Sequence, residues 1–395
     1  MALKYPSANG NWSNAANWNG GTVPVPGDDV RANGFTVTID VDIDVLQIST
    51  VALAPAAAGG VFSVTTNRNI TANINAGTTT CLSSASGIIV TIIGNINAGS
   101  ANAVNGVNFT NAGSVLNVTG NVVAGSSVNV QYGINSSGTV NFIGNATGSA
   151  VGFGSAAINI NTGGVLNLTG IITGGSAANT SYGVQNAGNG TYNGTMTGGS
   201  AGSSVGTRIT AGVHTINSNC FGGTSSGSHG ITLLNATATI NGSCTGGNVA
   251  GSHAYSISTS TATFNGSVIG SSASSGSFAI NVADSASNVV VSQMTFGTLG
   301  SVPVSGFVKF KNAGPTVTIL KANNTNQQLV DPVTTDIPIA GDVRDGVTYA
   351  SGSLTGTLKV PPATAVSVGV PVDNTVGTAV ITITDMGTLL ASYNV

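Results

Sequence analysis

The sequence predicts an all-β fold: a right-handed parallel β-solenoid (a β-helix) with an N-terminal cap and a small C-terminal β domain. Three observations predict it. Apolar residues alternate at period two within short segments, the segments recur about every two dozen residues, and the recurring stretch is almost free of charge. Nine Lys plus Arg and twelve Asp are the only charged residues among 395, and there is no Glu. An ordinary globular surface is about a quarter charged, so a chain that is 5% charged lacks the surface of an ordinary globular enzyme. With 57 Gly, few aromatics and an apolar fraction drawn mainly from Ala, Val and Ile, the mean hydropathy is +0.31. That composition is neither disordered nor collagen-like. A net charge of −3 without any Lys/Arg cluster leaves no electrostatic footprint for nucleic acid or an anionic membrane.

Charge divides the chain. Between Leu46 and Gly300 only Arg68, Arg208 and Asp284 are charged. The expected parts are a cap or attachment segment over 1–45, a solenoid of about nine coils over 46–300, and a β domain for assembly over 301–395. The opening residues lack the charged and apolar regions of a signal peptide, and no run reaches the roughly 20 apolar residues that span a bilayer. The expectation is synthesis and assembly in a cytoplasm, without membrane insertion. Three Cys do not make a disulfide framework.

In the first part, Gly10 to Gly21 carries Trp12 and Trp18, and Val23-Pro-Val-Pro26-Gly-Asp28-Asp29 leads into Phe35-Thr-Val-Thr-Ile-Asp40. An open solenoid end is a row of unpaired backbone groups, and the two Trp with nearby Asp suit a cap over it. This stretch resembles the start of β-helical adhesins and autotransporter-type passengers, which implies fold and says little about activity.

The middle aligns on Ala72, Gly94, Gly120, Gly144, Gly170, Gly194, Ser218, Gly242 and Gly266, spaced by 22 to 26 residues. Two positions before each anchor stand Ile70, Ile92, Val118, Phe142, Leu168, Tyr192, Ile216, Ile240 and Phe264. Two positions after come Ile74, Ile96, Val122, Ala146, Ile172, Met196, Cys220, Cys244 and Val268. Both series are apolar throughout and are expected to point inward as ladders, each coil stacked on the last at about 4.8 Å. A further apolar site thirteen to fifteen residues beyond the anchor includes Val107, Ile134, Ile158, Val184, Ile231 and Ile280. Register-locked stacking explains the missing charge, since like charges would repel from coil to coil.

The last part reads as short strands over Val302–Lys311, Thr316–Lys321, Gly356–Val360, Ala365–Val370 and Thr378–Thr384. Within it, Asp342-Val-Arg344-Asp-Gly-Val-Thr-Tyr349 through Pro361-Pro362, then Val370-Pro-Val-Asp373-Asn374 to Val380, resembles a module that recurs in tailed-bacteriophage virion proteins. The resemblance implies a phage structural protein that assembles without secretion, as a homotrimer.

Chemistry-bearing residues are sparse. Glycoside hydrolysis needs two carboxyl groups roughly 5 to 9.5 Å apart, whereas the repeats hold only Asp284. Asp40, Asp42 and Asp44 alternate and are expected to share one face of a strand, as a charged edge or a place for a hard cation. His229 and His253 each lie eleven residues past an anchor and should stack as a polar corner ladder. His214 is expected to be partly buried, and Cys220 and Cys244 to stack inside as free thiols. No metal or cofactor is expected.

The outward positions form a more informative pattern. Three before the anchors stand Asn69, Thr91, Asn117, Asn141, Asn167, Thr191, Thr215, Thr239 and Thr263. One before stand Thr71, Ile93, Thr119, Ile143, Thr169, Asn193, Asn217, Asn241 and Asn265. The candidate face for a glycan or protein partner is Thr191, Asn193, Thr215, Asn217, Thr239, Asn241, Thr263 and Asn265. The expected function is a non-enzymatic bacteriophage surface protein, located in the virion, acting as a tail spike or fibre adhesin. Its expected partners are itself, other virion proteins and a host surface glycan. The alternatives are a capsid-decorating, cement or head-fibre protein, a secreted bacterial adhesin or ice-binding protein, and a polysaccharide depolymerase.

Overall fold

The computed structural model describes residues 2–295 except 102, 127–129, 152–153, 177–179, 270–276 and 285. Beyond these it describes 304–311, 317–323, 328–330, 346–349, 354–355, 357–359, 363–366, 371–372 and 375–376. Two compact units result, Met1–Gln327 and Gln328–Val395.

The first unit is a β-solenoid of about eleven turns, almost without helix. Each coil adds a strand to two parallel stacks. One stack contains Arg68–Asn75, Thr139–Thr147, Val165–Thr173, Asn189–Thr197 and Thr261–Ile269, and the other contains Tyr132–Ser136, Ala156–Ile160, Tyr182–Asn186 and Val205–Ile209. All nine residues of the first predicted ladder meet in register: Ile70 with Ile92, Ile92 with Val118, Val118 with Phe142, then Leu168, Tyr192, Ile216, Ile240 and Phe264 in turn. None exceeds 2% exposure. The second ladder is equally continuous, for example Met196 with Cys220, Cys220 with Cys244 and Cys244 with Val268, and it is buried throughout. In the other stack Val107, Ile134, Ile158 and Val184 pair successively, all fully buried. Period-two alternation therefore places one apolar row inside on every coil.

The stack extends past 46–300 at both ends. Leu3–Lys4 pairs with Asp29–Arg31, which pairs with Ile43–Ser49, so the first part supplies coils of the stack. Trp12 and Trp18 are buried in that first coil, edge to face at 4.9 Å, and Trp18 Nε1 donates to the Trp12 carbonyl at 2.8 Å. Trp12 also packs 6.1 Å from the Phe62 ring of a later coil. At the other end Val304–Lys311 pairs in parallel with the two preceding strands, and Val317–Asn323 returns antiparallel against it. That hairpin takes up the last rung's free edge.

Among the described residues the second unit holds Gln328–Val330 and two short antiparallel pairs, Thr348–Tyr349 with Leu354–Thr355 and Pro371–Val372 with Thr375–Val376. A 3-10 turn, Ala363–Ala365, stands where the strand Ala365–Val370 was expected to begin, consistent with the preceding Pro361-Pro362, which lack backbone donors. The expected strand Thr378–Thr384, and most of residues 342–380 that carry the phage resemblance, lie outside the described residues.

Candidate functional site

The outer surface of the first stack is built from side chains that hydrogen-bond along the coil axis. Thr191, Thr215, Thr239 and Thr263 are mutual register partners. Beside them Asn265 donates through Nδ2 to Asn241 Oδ1 at 2.9 Å, Asn241 to Asn217 at 2.9 Å, and Asn217 to Asn193 at 2.8 Å. A primary amide has two donor hydrogens and two acceptor lone pairs. The ladder engages one of each on Asn217 and Asn241, leaving the other pair for a partner. These eight residues, the candidate face, therefore also tie the coils together. Asn241→Ala should lower stability by about 1 kcal/mol through the two bonds it removes, read as a reduced urea midpoint. An unchanged midpoint would show the ladder to be energetically idle.

A second amide ladder, Asn167 to Asn141 at 2.9 Å and Asn141 to Asn117 at 2.8 Å, runs on nearer the N-terminus. Between it and Thr119, Ile143, Thr169 and Asn193 lies a groove of about 300 Å³. The bottom is strand backbone, one wall is amide, and the other presents hydroxyls around Ile143, which is 59% exposed. The concavity thus lies mainly on coils preceding the candidate face, and of that face only Asn193 lines it. Sequence reasoning put all these residues on one surface, but a groove depends on how far neighbouring columns separate, which periodicity does not encode.

Other singled-out residues have structural surroundings. Asp40 and Asp42 do not share a strand face with Asp44, because a corner separates Thr36–Thr38 from Ile43–Ser49. Asp40 accepts from the Ser13 amide and hydroxyl, and Asp42 from the backbone and side-chain nitrogens of Asn69. These bonds outweigh burial for Asp40, dominate for Asp42, and hold both carboxyls below the usual carboxylate range. Each carboxylate staples one coil to another, and among the described residues no group of three or more His, Cys or Asp is placed to hold a metal ion.

His214 is 1% exposed instead of partly buried, because Gly190 and Ala238 are its small register neighbours. Its Nε2 meets the Ala211 carbonyl at 2.7 Å. The Cys220 and Cys244 thiols are free and fully buried, and Cys220 Sγ lies 3.0 Å from Tyr255 Oη. Burial pushes Cys220 up to about 12 and raises Cys244 as well, so neither is poised as a thiolate at neutral pH. Asp284 accepts from Ser258, Thr259, Ala286 and Ser287, and its pKa is lowered to about 2, chiefly by the Ser258 hydroxyl.

His229 and His253 stack as expected, ring centroids 5.1 Å apart and 6° from parallel, and Phe278 continues the stack at 5.3 Å. The His229 Nδ1 accepts from the His253 backbone N–H at 3.2 Å, and the His253 Nδ1 from the Phe278 N–H at 3.1 Å. Each imidazole thereby receives a donor of the next coil.

One grouping escaped the sequence reading. Tyr132, Tyr182 and Arg208 come together on the second stack, although the recurrence of Tyr-Gly-Ile at 132 and Tyr-Gly-Val at 182, two coils apart, was visible. Comparison with protein families, with curated proteins and with solved structures finds no match to this chain.

Proposed function

We propose that this protein is a non-enzymatic surface rod of a bacteriophage particle, a tail spike or fibre adhesin that meets the host surface through the Asn/Thr side of its solenoid. The observation that carries the reading is the groove between the Asn117–Asn141–Asn167 ladder and the column holding Ile143 and Thr169. It offers amide and hydroxyl partners beside an exposed apolar side chain, repeated at strand spacing. That chemistry suits a neutral repetitive glycan, whose hydroxyls take hydrogen bonds and whose C–H faces take apolar contact. A rigid ladder is also already ordered, so binding costs little conformational entropy.

A homotrimer fits this reading, with the chains joined along another side of the rod. Sedimentation of purified protein should then give three times 38.5 kDa. Immunogold labelling of the chain on intact particles should mark the tail, in few copies. Label spread over the head would instead support capsid decoration. Ile143→Asp places a charge in the groove without touching the core, and should reduce adsorption of purified protein to host cells at least tenfold while leaving the melting temperature within a few degrees. Undiminished adsorption would remove the groove from the proposal.

A further inference from the structure

Arg208 is the single charged residue between Arg68 and Asp284, a span of neutral coils. Its backbone pairs with Gln185 on the coil before and Thr232 on the coil after, and it is partly exposed. Among the described residues its side chain has no ion pair and no hydrogen bond. Its guanidinium carbon instead lies 5.5 Å from the centre of the Tyr182 ring. Tyr182 packs with Ala156 and Val205, and Tyr132 packs on that cluster from two coils away. Register explains the fit: Tyr132 pairs with Ala156 and Ala156 with Tyr182, so the small residue between them leaves room for both rings. The Tyr132 hydroxyl group is pushed up by burial and by Tyr182, and is held back by the Arg208 charge, which places all three groups within electrostatic reach. On the column that holds Gln185 and Arg208, Asn159 donates to Asn135 and Asn135 to Asn108, both at 2.8 Å.

A guanidinium whose donors take no hydrogen bond among the described residues, set over an aromatic ring, suits a planar anion. We propose that Arg208, Tyr182 and Tyr132 with Gln185 form a binding site for the carboxylate of an acidic glycan. The guanidinium would take the carboxylate through two parallel hydrogen bonds, Gln185 a neighbouring hydroxyl, and the partly exposed Tyr132 ring the C–H face of the sugar, while the buried Tyr182 ring backs the guanidinium. One isolated cation suits the recognition of a single carboxylate on the sugar it meets. A polyanionic peptide or nucleic acid would find no further cation on the neutral coils to either side. The site lies on the other stack from the groove proposed above and does not depend on it.

Calorimetric titration of the full-length chain tests this, with oligogalacturonate and α2,8-linked oligosialate as acidic probes. Methyl-esterified oligogalacturonate, free galacturonate and oligoglutamate are the comparison ligands. At least one acidic oligosaccharide should bind, methyl esterification should weaken oligogalacturonate at least tenfold if that is the probe bound, and the free monosaccharide should bind more weakly. Arg208→Gln should abolish the binding and Arg208→Lys reduce it about tenfold, while Ile143→Asp leaves it unchanged. Circular dichroism melts of both Arg208 variants check that they are folded, and a surface charge on neutral coils should be dispensable for folding. Failure of both acidic oligosaccharides to bind, retained binding by a folded Arg208→Gln chain, equal binding of the methyl ester, or stronger binding of oligoglutamate would each overturn the proposal.

Discussion

Gly170→Ala is expected to destabilise the solenoid by about 3 kcal/mol or more, although it adds a single methyl group to a strand of a protein rich in alanine. Gly170 sits at the bend of Val165–Thr173 with φ of 149°, a region closed to side-chain-bearing residues. A Cβ built there would run into the backbone carbonyl of Gly144 on the preceding coil. The same collision recurs for Gly94, Gly120, Gly144 and Gly194, each against the anchor residue one coil earlier. Neither partner can yield, because the carbonyl belongs to a stack held by parallel hydrogen bonds on both sides. Relief would require opening the coil spacing and breaking register for every residue in line. Guanidinium unfolding of Gly170→Ala beside Thr162→Ala, an exposed turn substitution on the same coil, measures the effect. The latter should lie within about 0.5 kcal/mol of the parent, and a Gly170→Ala midpoint equal to it would remove the steric account.

Acidification from pH 6.5 to about 4 should remove several kcal/mol from the stack around His229 and His253. Burial lowers His229 from 6.5 to about 4, and burial together with the charge of His229 lowers His253 to about 3. Both imidazoles are neutral in the folded chain at pH 7 and lend Nδ1 to a backbone N–H above. The unfolded chain binds protons near pH 6.5 and the folded chain does not, so stability rises with pH across that interval. It is fully present above pH 6.5, falls as pH drops, and stops falling for each ring once the folded form also protonates, near 4 and near 3. By pH 4 the loss amounts to roughly 3 kcal/mol per imidazole.

The carboxylates act lower. Asp284, held near 2, keeps its stabilisation above the ordinary value of 3.8 and loses it below. A variant with His229→Asn and His253→Asn offers the amide Oδ1 as acceptor in place of Nδ1, without the titration. It should start less stable at pH 8, for want of ring stacking, and keep between pH 6.5 and 4 only the smaller slope contributed by His214, whose pKa burial also lowers. A parent-like slope in the variant would assign the acid lability elsewhere.

The ladder Ile70 to Phe264 was legible because burial and period-two alternation leave the same mark on every coil, and the structure repeats that mark without a break. The glycines marked coil boundaries in the sequence, but their reason did not show there, since it lies in a carbonyl two dozen residues earlier. Asp40, Asp42 and Asp44 were misplaced because alternation was read across a corner: Ser13 and Asn69 satisfy two of these carboxylates from other coils. His214 was placed too near the surface because the room made by Gly190 and Ala238 belongs to neighbouring coils.

For this chain, then, local order was enough to determine that strands alternate inside and outside, that coils recur, and that like residues lie over like, since stacking in register imposes the same environment on each repeat. What the tertiary structure alone decided is which columns stand apart to leave a groove, that the stack runs beyond 46–300 into Leu3–Lys4 and Val304–Lys311, and that Tyr132, Tyr182 and Arg208 meet. Those depend on distances between side chains of different coils, and such distances follow from the packing of the whole stack and not from the identity of any one repeat.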